Sequence, residues 1–119
     1  MKVFFSTKDK TLIAKITGEL DHHNAAEIRE ETDFKIINEN IKTVIFDFTN
    51  LSFIDSSGVG VIIGRYKLIS SLSGKLIIVS PSKTINKILE LSGIMKIMKV
   101  YKNFDELTLE GSFKNEFAK

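Results

Sequence analysis

The sequence predicts an α/β fold, in which a mixed β-sheet of about five strands carries about four helices. Three observations support this class. The chain opens with two strand-like stretches joined by a tight turn, a nearly continuous apolar run follows over residues 42–49, and helix-like and strand-like segments alternate from there on. Such alternation implies right-handed crossovers, with helices packed on the sheet.

The first elements are predicted to be a β-hairpin and a surface helix. Residues 3–7 and 11–17 are strand-like and flank a polar turn, and Gly18 ends the second stretch. The helix is predicted over residues 24–38, where Asn24 and the residue three positions later resemble a capping box. Its apolar positions are interspersed with many charged residues: Ala25, Ile28, Phe34 and Ile37.

The middle of the chain predicts a buried strand and the best-defined helix. Residues 42–49 form the apolar run expected of a strand buried on both faces, so we place them at the centre of the sheet. Residues 57–73 carry apolar side chains at helical spacing, and Gly74 is the predicted C-cap. The apolar positions of this helix are Val59, Ile62, Ile63, Tyr66, Ile69 and Leu72.

Shorter elements complete the predicted fold. Residues 75–79 form another apolar strand, Ser82 caps a third helix, and Gly93 ends that helix. Residues 97–101 are predicted as the last strand, and a final helix begins near residue 103.

Composition narrows the function classes. The chain has 119 residues, of which 43% are hydrophobic, enough for one compact domain. Its formal charge is only +2, with scattered lysines, which argues against nucleic acid or membrane as a direct partner. The absence of cysteine excludes disulfides and thiolate metal sites. Polar residues interrupt the N-terminal apolar stretch too early for a signal peptide, so we expect a cytoplasmic protein.

Chemistry is concentrated in the turn before the central helix. Asp55, Ser56 and Ser57 are all good N-cap residues, and one cap needs only one of them. A redundant cap is one interpretation. The other is a modification site, because the N-terminus of a helix accommodates an added phosphate. The residues alone leave both interpretations open.

The other candidate sites are weaker. Gly58, Gly60 and Gly64 are spaced one residue too widely for a dinucleotide-binding loop, and no P-loop motif occurs, so these glycines are expected to let the helix lie close to the sheet. No cofactor is therefore expected.

Nor is a catalytic residue or a metal site expected. His22 and His23 are adjacent and lack further ligands at suitable spacing, so we expect them to be partly packed and partly solvated. Asp47 is predicted to be structural, and Phe53 and Ile54 are predicted to belong to the core.

One stretch carries a family resemblance. Residues 51–67, LSFIDSSGVGVIIGRYK, resemble the signature of the STAS-domain anti-sigma factor antagonists. Residues 17–23, TGELDHH, and residues 91–93, LSG, add to the similarity, which is greatest to the sporulation sigma-F branch of that family. The resemblance implies a single STAS domain over residues 1–119, and we expect residues 110–119 to fray.

The resemblance also implies a mechanism. In that family, the serine after the aspartate is phosphorylated by the anti-sigma factor, a serine kinase that binds ATP or ADP, and a PP2C-type phosphatase reverses the modification. That serine is Ser56 here. The unphosphorylated form binds the anti-sigma factor and releases the sigma factor. The implied partner-binding residues are Asp21, Asp55, Ser56, Ser57, Gly58 and Gly60. The alternative is a non-enzymatic scaffold subunit of a stress-signalling complex.

Overall fold

The computed structural model describes residues 1–109, which form six strands and four helices. The predicted fraying of residues 110–119 lies outside the described residues. In chain order, the elements are β1 (Lys2–Lys8), β2 (Thr11–Leu20), α1 (Ala25–Asn38), β3 (Thr43–Asp47), β4 (Leu51–Ile54), α2 (Ser56–Ser71), β5 (Lys75–Val79), α3 (Lys83–Leu91), β6 (Val100–Tyr101) and α4 (Phe104–Leu109). No helix in the described part is long and apolar enough to cross a membrane.

The strands form one mixed sheet in the order β1-β2-β3-β5-β6. The hairpin strands β1 and β2 pair antiparallel, and all the other pairs are parallel. β2 has ten residues and two successive partners on one side, because its first half pairs with β3 and its second half with β4. The α/β class and the mixed sheet with four helices are therefore confirmed.

β4 was not predicted. It contains Ser52 and Phe53, both exposed, so it lacks the apolar run that marks the neighbouring strands. Because β4 pairs with the second half of β2, β2 extends to Leu20, beyond the predicted end near Gly18. Gly18 has a φ of +97°, and the register shifts between it and the next residue, so the glycine allows the irregularity that redirects β2 toward β4.

Two apolar layers hold the sheet. The larger core lies between the sheet and the helices and includes Phe46, Phe48, Ile62 and Ile69, all fully buried. A smaller cluster on different strand residues contains Ile45, Ile77, Val79, Tyr101 and, from α4, Leu107. Because side chains alternate along a strand, both faces of the central strands β3 and β5 are covered, as predicted from the apolar run in the sequence.

The buried face of α1 includes Ile28 but neither Phe34 nor Ile37, two of the apolar positions noted in the sequence. Ile28, Thr32 and Ile36 are buried at a spacing of four residues, whereas Phe34 and Ile37 are 66% and 65% exposed. The predicted capping box is also absent. The Asn24 side chain makes no cap hydrogen bond and instead accepts from the N–H of Asp21 and donates to the carbonyl of Glu19.

Two predicted element ends are wrong. Ser73, with φ of +64°, takes the left-handed position after α2 that was assigned to Gly74. Gly74 is needed for a different reason, since a Cβ there would lie 2.3 Å from the carbonyl oxygen of Lys42. The last strand is shorter than predicted, because residues 97–99 continue the irregular segment that follows a 3-10 turn, Ile94–Lys96. Gly93 does end α3, with φ of +86°.

Adjacent isoleucines test the orientation of α1. Ile36→Ala should lower the free energy of unfolding by about 2–5 kcal/mol, because it leaves a cavity in the core. Ile37→Ala, the matched control, should change it by less than about 0.5 kcal/mol, because Ile37 is exposed. Urea denaturation of both variants measures the difference, and equal losses would contradict this orientation.

Candidate functional site

Two loops meet where β2 and β4 end. The parallel register pairs Leu20 with Ile54, so the segment after each strand emerges at the same edge of the sheet. The N–H of Asp55 donates a hydrogen bond to the carbonyl of Leu20 over 3.3 Å, which links the ends of β2 and β4. The structure thus brings the loop that contains Asp21 beside the turn that contains Ser56.

Of the three possible cap residues, Asp55 caps α2. Its Oδ1 accepts hydrogen bonds from the N–H groups of Ser57 and Gly58, at 2.9 and 3.1 Å, and its backbone is extended, as an N-cap requires. Ser56 is the exposed first residue of the helix, and Ser57 is half-buried. The Ser56 hydroxyl is therefore outside the cap and open to solvent.

The second oxygen of Asp55 binds the neighbouring loop. Oδ2 accepts a hydrogen bond from the N–H of His22 at 3.1 Å, and the Nδ1 atom of the same residue lies 3.4 Å away. The His22 side chain is 67% exposed, and its ring contacts that of His23 with centroids 3.9 Å apart and planes tilted by 39°. Both histidines are exposed, while their rings contact each other and His22 lies against Asp55, which agrees with the prediction of a partly packed and partly solvated pair. One carboxylate thus joins two loops.

These donors lower the pKa of Asp55. The N–H of Gly58 makes the largest contribution, and the hydrogen bonds from His22 and Ser57 act in the same direction. Desolvation of the partly covered carboxylate opposes them, but the net effect holds its pKa below the ordinary value of 3.8. Asp55 is consequently a stable anion at neutral pH, one residue before the Ser56 hydroxyl.

The loop between β2 and α1 is also held by its own side chains. Asp21 Oδ1 accepts from the N–H of His23 at 2.9 Å, and Asn24 donates to the carbonyl of Glu19 at 2.8 Å. The backbone carbonyl of Asp21 accepts from the N–H groups of Asn24 and Ala25 at the start of α1. Asp21 therefore shapes the loop and is half-buried.

The glycines of α2 have different roles. At Gly58, a Cβ would lie 2.5 Å from the carbonyl oxygen of Leu20 and 2.7 Å from Cγ1 of Ile54, so only glycine allows the helix to start this close to the sheet. Gly60 and Gly64 have no atom within 4 Å of such a Cβ. For these two, the predicted role in close packing is wrong.

Gly60 and Gly64 instead line a groove of about 530 Å³ between α1 and α2, together with His22, Ala25 and Ser57. Arg65 forms part of its wall, nine-tenths buried, with Nε 2.6 Å from Oδ1 of Asp33 on α1. Burial lowers the pKa of Arg65, and the attraction of Asp33 counteracts this. The groove therefore borders the Ser56 turn, and an ion pair between the two helices supports it.

Three residues near the turn complete the comparison with the prediction. Phe53 is 45% exposed, so its assignment to the core is wrong, whereas Ile54 is buried as expected. Asp47 is structural, as predicted, and accepts a hydrogen bond from the N–H of Thr49 at 3.0 Å.

The sequence does not predict the link from His22 to Asp55, because 33 residues separate the two and no local pattern signals it. Within residues 1–109, no group of three or more His, Asp or Glu residues is placed to hold a metal ion.

Comparisons with known proteins give a consistent result. Residues 5–107 match the model of the STAS domain. The anti-sigma F factor antagonist of Paenibacillus polymyxa is 39% identical over 92 residues, which cover 77% of this chain and 79% of that protein.

Among solved structures, the anti-sigma factor antagonist SpoIIAA in its unphosphorylated form is 28% identical, with a TM-score of 0.74 over 93% of this chain and 97% of the other. The phosphorylated form of the Bacillus cell fate determinant SpoIIAA is 30% identical, with a TM-score of 0.71 over 90% and 97%. The similarity thus extends over nearly all the described residues.

The charge of Asp55 should make stability depend on pH. Because its folded pKa is depressed, the ionised carboxylate stabilises the fold above pH 3.8, and this contribution is lost as the pH falls through the lower folded value. Asp55→Asn keeps a good cap residue without the charge. Wild type should therefore be more stable than this variant near neutral pH, with a gap that closes in strong acid. Thermal unfolding across the pH range measures the gap, and a gap independent of pH would contradict the prediction.

Two glycine substitutions should have opposite effects on stability. Gly58→Ala forces a Cβ against the Leu20 carbonyl and should destabilise the fold. Gly60→Ala meets no neighbour and should stabilise the helix by about 0.5–1 kcal/mol, because alanine loses less backbone entropy on folding. Chemical denaturation checks both variants, and destabilisation by Gly60→Ala would refute the open position assigned to that residue.

Proposed function

This chain belongs to the STAS-domain family of anti-sigma factor antagonists, and from this membership we propose that it is a switch controlled by phosphorylation of Ser56. The unphosphorylated form binds an anti-sigma factor that is also a serine kinase, and the sigma factor is released. The phosphorylated form does not bind productively. A PP2C-type phosphatase restores the first form, and any ATP or ADP is bound by the kinase. The proposal treats residues 1–119 as one STAS domain acting in the cytoplasm.

The observation that carries the proposal is the division of roles within the turn. Asp55 satisfies the N–H groups of Ser57 and Gly58, while the Ser56 hydroxyl is exposed at the first helical residue. A kinase can reach this hydroxyl without opening the helix cap. A phosphate on it adds about −1.5 to −2 charge at the surface and leaves the fold in place.

The placement of Asp55 also favours a large effect on binding. The amides of Ser57 and Gly58, which would otherwise attract the phosphate, already bind the Asp55 carboxylate. The phosphate therefore adds to an existing negative charge and faces the partner. A switch from mostly bound to mostly free needs a difference of about 5.5 kcal/mol between the two forms. A charge left unpaired in a protein interface supplies several kcal/mol of such a difference.

The partner-binding surface that we propose consists of the two loops and the start of α2. Asp21 and Asp55 contribute acidic groups, and Ser56 and Ser57 contribute hydroxyls. Gly60 is exposed and opens the groove between α1 and α2 to a partner side chain. Gly58 is buried and supports the surface from beneath, because it sets how close α2 lies to the end of β2.

The binding test compares Ser56→Ala with Ser56→Asp. Both should fold with stability close to that of wild type, since an acidic residue is favourable in the first turn of a helix. Alanine should keep affinity for the cognate anti-sigma factor, and aspartate should weaken it. Calorimetry measures the three affinities, and equal values would end the switching model. A stable large assembly in place of a one-to-one complex would favour the scaffold function instead.

Site mapping after incubation with the anti-sigma factor and ATP provides the second arm of this test. Ser57→Ala is the matched control and should still be phosphorylated, at Ser56. Modification at Ser57 in the wild-type protein, with Ser56 untouched, would overturn the assignment of the modified residue.

A further inference from the structure

The Asp55 carboxylate has four hydrogen-bond partners with different freedom to move. Three of them are backbone N–H groups, from Ser57, Gly58 and His22, and they cannot leave unless the chain itself moves. The fourth is Nδ1 of the His22 ring, 3.4 Å from Oδ2 on a side chain that is 67% exposed. The imidazole is thus the one partner that can turn to another acceptor without first breaking a backbone hydrogen bond to Asp55.

We propose that His22 is a positioning residue that transmits the phosphorylation state of Ser56 to the loop at residues 21–24. The inference rests on the proposed function and deepens it. In the unmodified protein, the imidazole is held at Asp55. A phosphate on Ser56 is a second and stronger acceptor, with three oxygens next to the same carboxylate, and it draws the ring away from Asp55.

The charges around the ring favour this response. Asp55 faces His22 from the turn before α2, and the tilted ring of His23 contacts it from the same loop. Arg29 and Arg65 line the groove that His22 also lines. A phosphate on Ser56 adds negative charge one residue from Asp55. An imidazole N–H can donate to a phosphate oxygen as well as to a carboxylate, so the exposed ring can turn toward the added charge.

The loop around His22 is built to pass this change to Asp21. The neighbouring N–H of His23 donates to Asp21 Oδ1, and the Asp21 N–H donates to Asn24. A displaced His22 ring therefore acts on a short segment whose hydrogen bonds position Asp21. Phosphorylation in the turn before α2 thereby also changes the loop at residues 21–24, so the partner contacts a surface that differs in two places.

A double-mutant cycle tests the transmission. Affinity for the anti-sigma factor is measured for wild type, Ser56→Asp, His22→Ala and the double variant. The loss of affinity caused by Ser56→Asp should be smaller in the His22→Ala background by about fivefold or more, the size of a modest coupling between sites. His23→Ala removes the ring that contacts His22 but neither of the His22 hydrogen bonds to Asp55, so as the control it should leave that loss unchanged.

A spectroscopic readout separates transmission from a purely structural role. Backbone amide signals of residues 21–24 should shift on Ser56→Asp in the wild-type background and shift much less with His22→Ala. His22→Asn keeps the backbone hydrogen bond to Asp55 and removes the imidazole ring, so it should preserve stability and still lose the response.

The outcomes are distinguishable. If Ser56→Asp weakens binding equally with and without His22, the transmission by His22 is refuted and the switch itself stands. If Ser56→Asp has no effect in the wild-type background, the proposed function fails, and this inference fails with it.

Discussion

The candidate site depends on the hydrogen bonds that the carboxylate of Asp55 accepts. This carboxylate caps α2 through the N–H groups of Ser57 and Gly58 and binds the N–H of His22 across 33 residues of sequence. Because hydrogen bonds to an ionised group are stronger than neutral ones, this one side chain fixes both the start of the helix and the position of the facing loop. The exposed Ser56 hydroxyl is left between two anchored segments.

The sheet makes that interaction possible. β2 continues past the end of β3 and pairs with β4, which aligns Leu20 with Ile54 and delivers the two loops to one edge. Gly58 then allows α2 to begin against the Leu20 carbonyl, closer than any residue with a side chain could. The buried apolar side chains beneath fix these distances, while the polar groups lie at the sheet edge where β2 and β4 end. Such a division lets a surface charge change without disturbing the packing that supplies stability.

This arrangement suits regulation through charge. Membership of the anti-sigma factor antagonist family gives the proposed switch its partner, and the turn explains how a phosphate can act without refolding the domain. In the proposed switch, Asp55 already binds the N–H groups of Ser57 and Gly58, so a phosphate on Ser56 would stay exposed to the partner. In the proposed mechanism, the groove beside Gly60 and the loop of Asp21 extend the partner-binding surface that changes when Ser56 is phosphorylated.

The sequence by itself determined the features that local physics controls. The α/β class, the helix α2, its polar N-terminal turn and the left-handed Gly93 follow from periodicity, capping chemistry and backbone preference within a few residues. Only the tertiary structure decided which side chains meet. It showed that β4 pairs with β2, that Ile36 rather than Ile37 is buried, and that His22 binds Asp55. These contacts join segments distant in sequence, and no local pattern contains the register that brings them together.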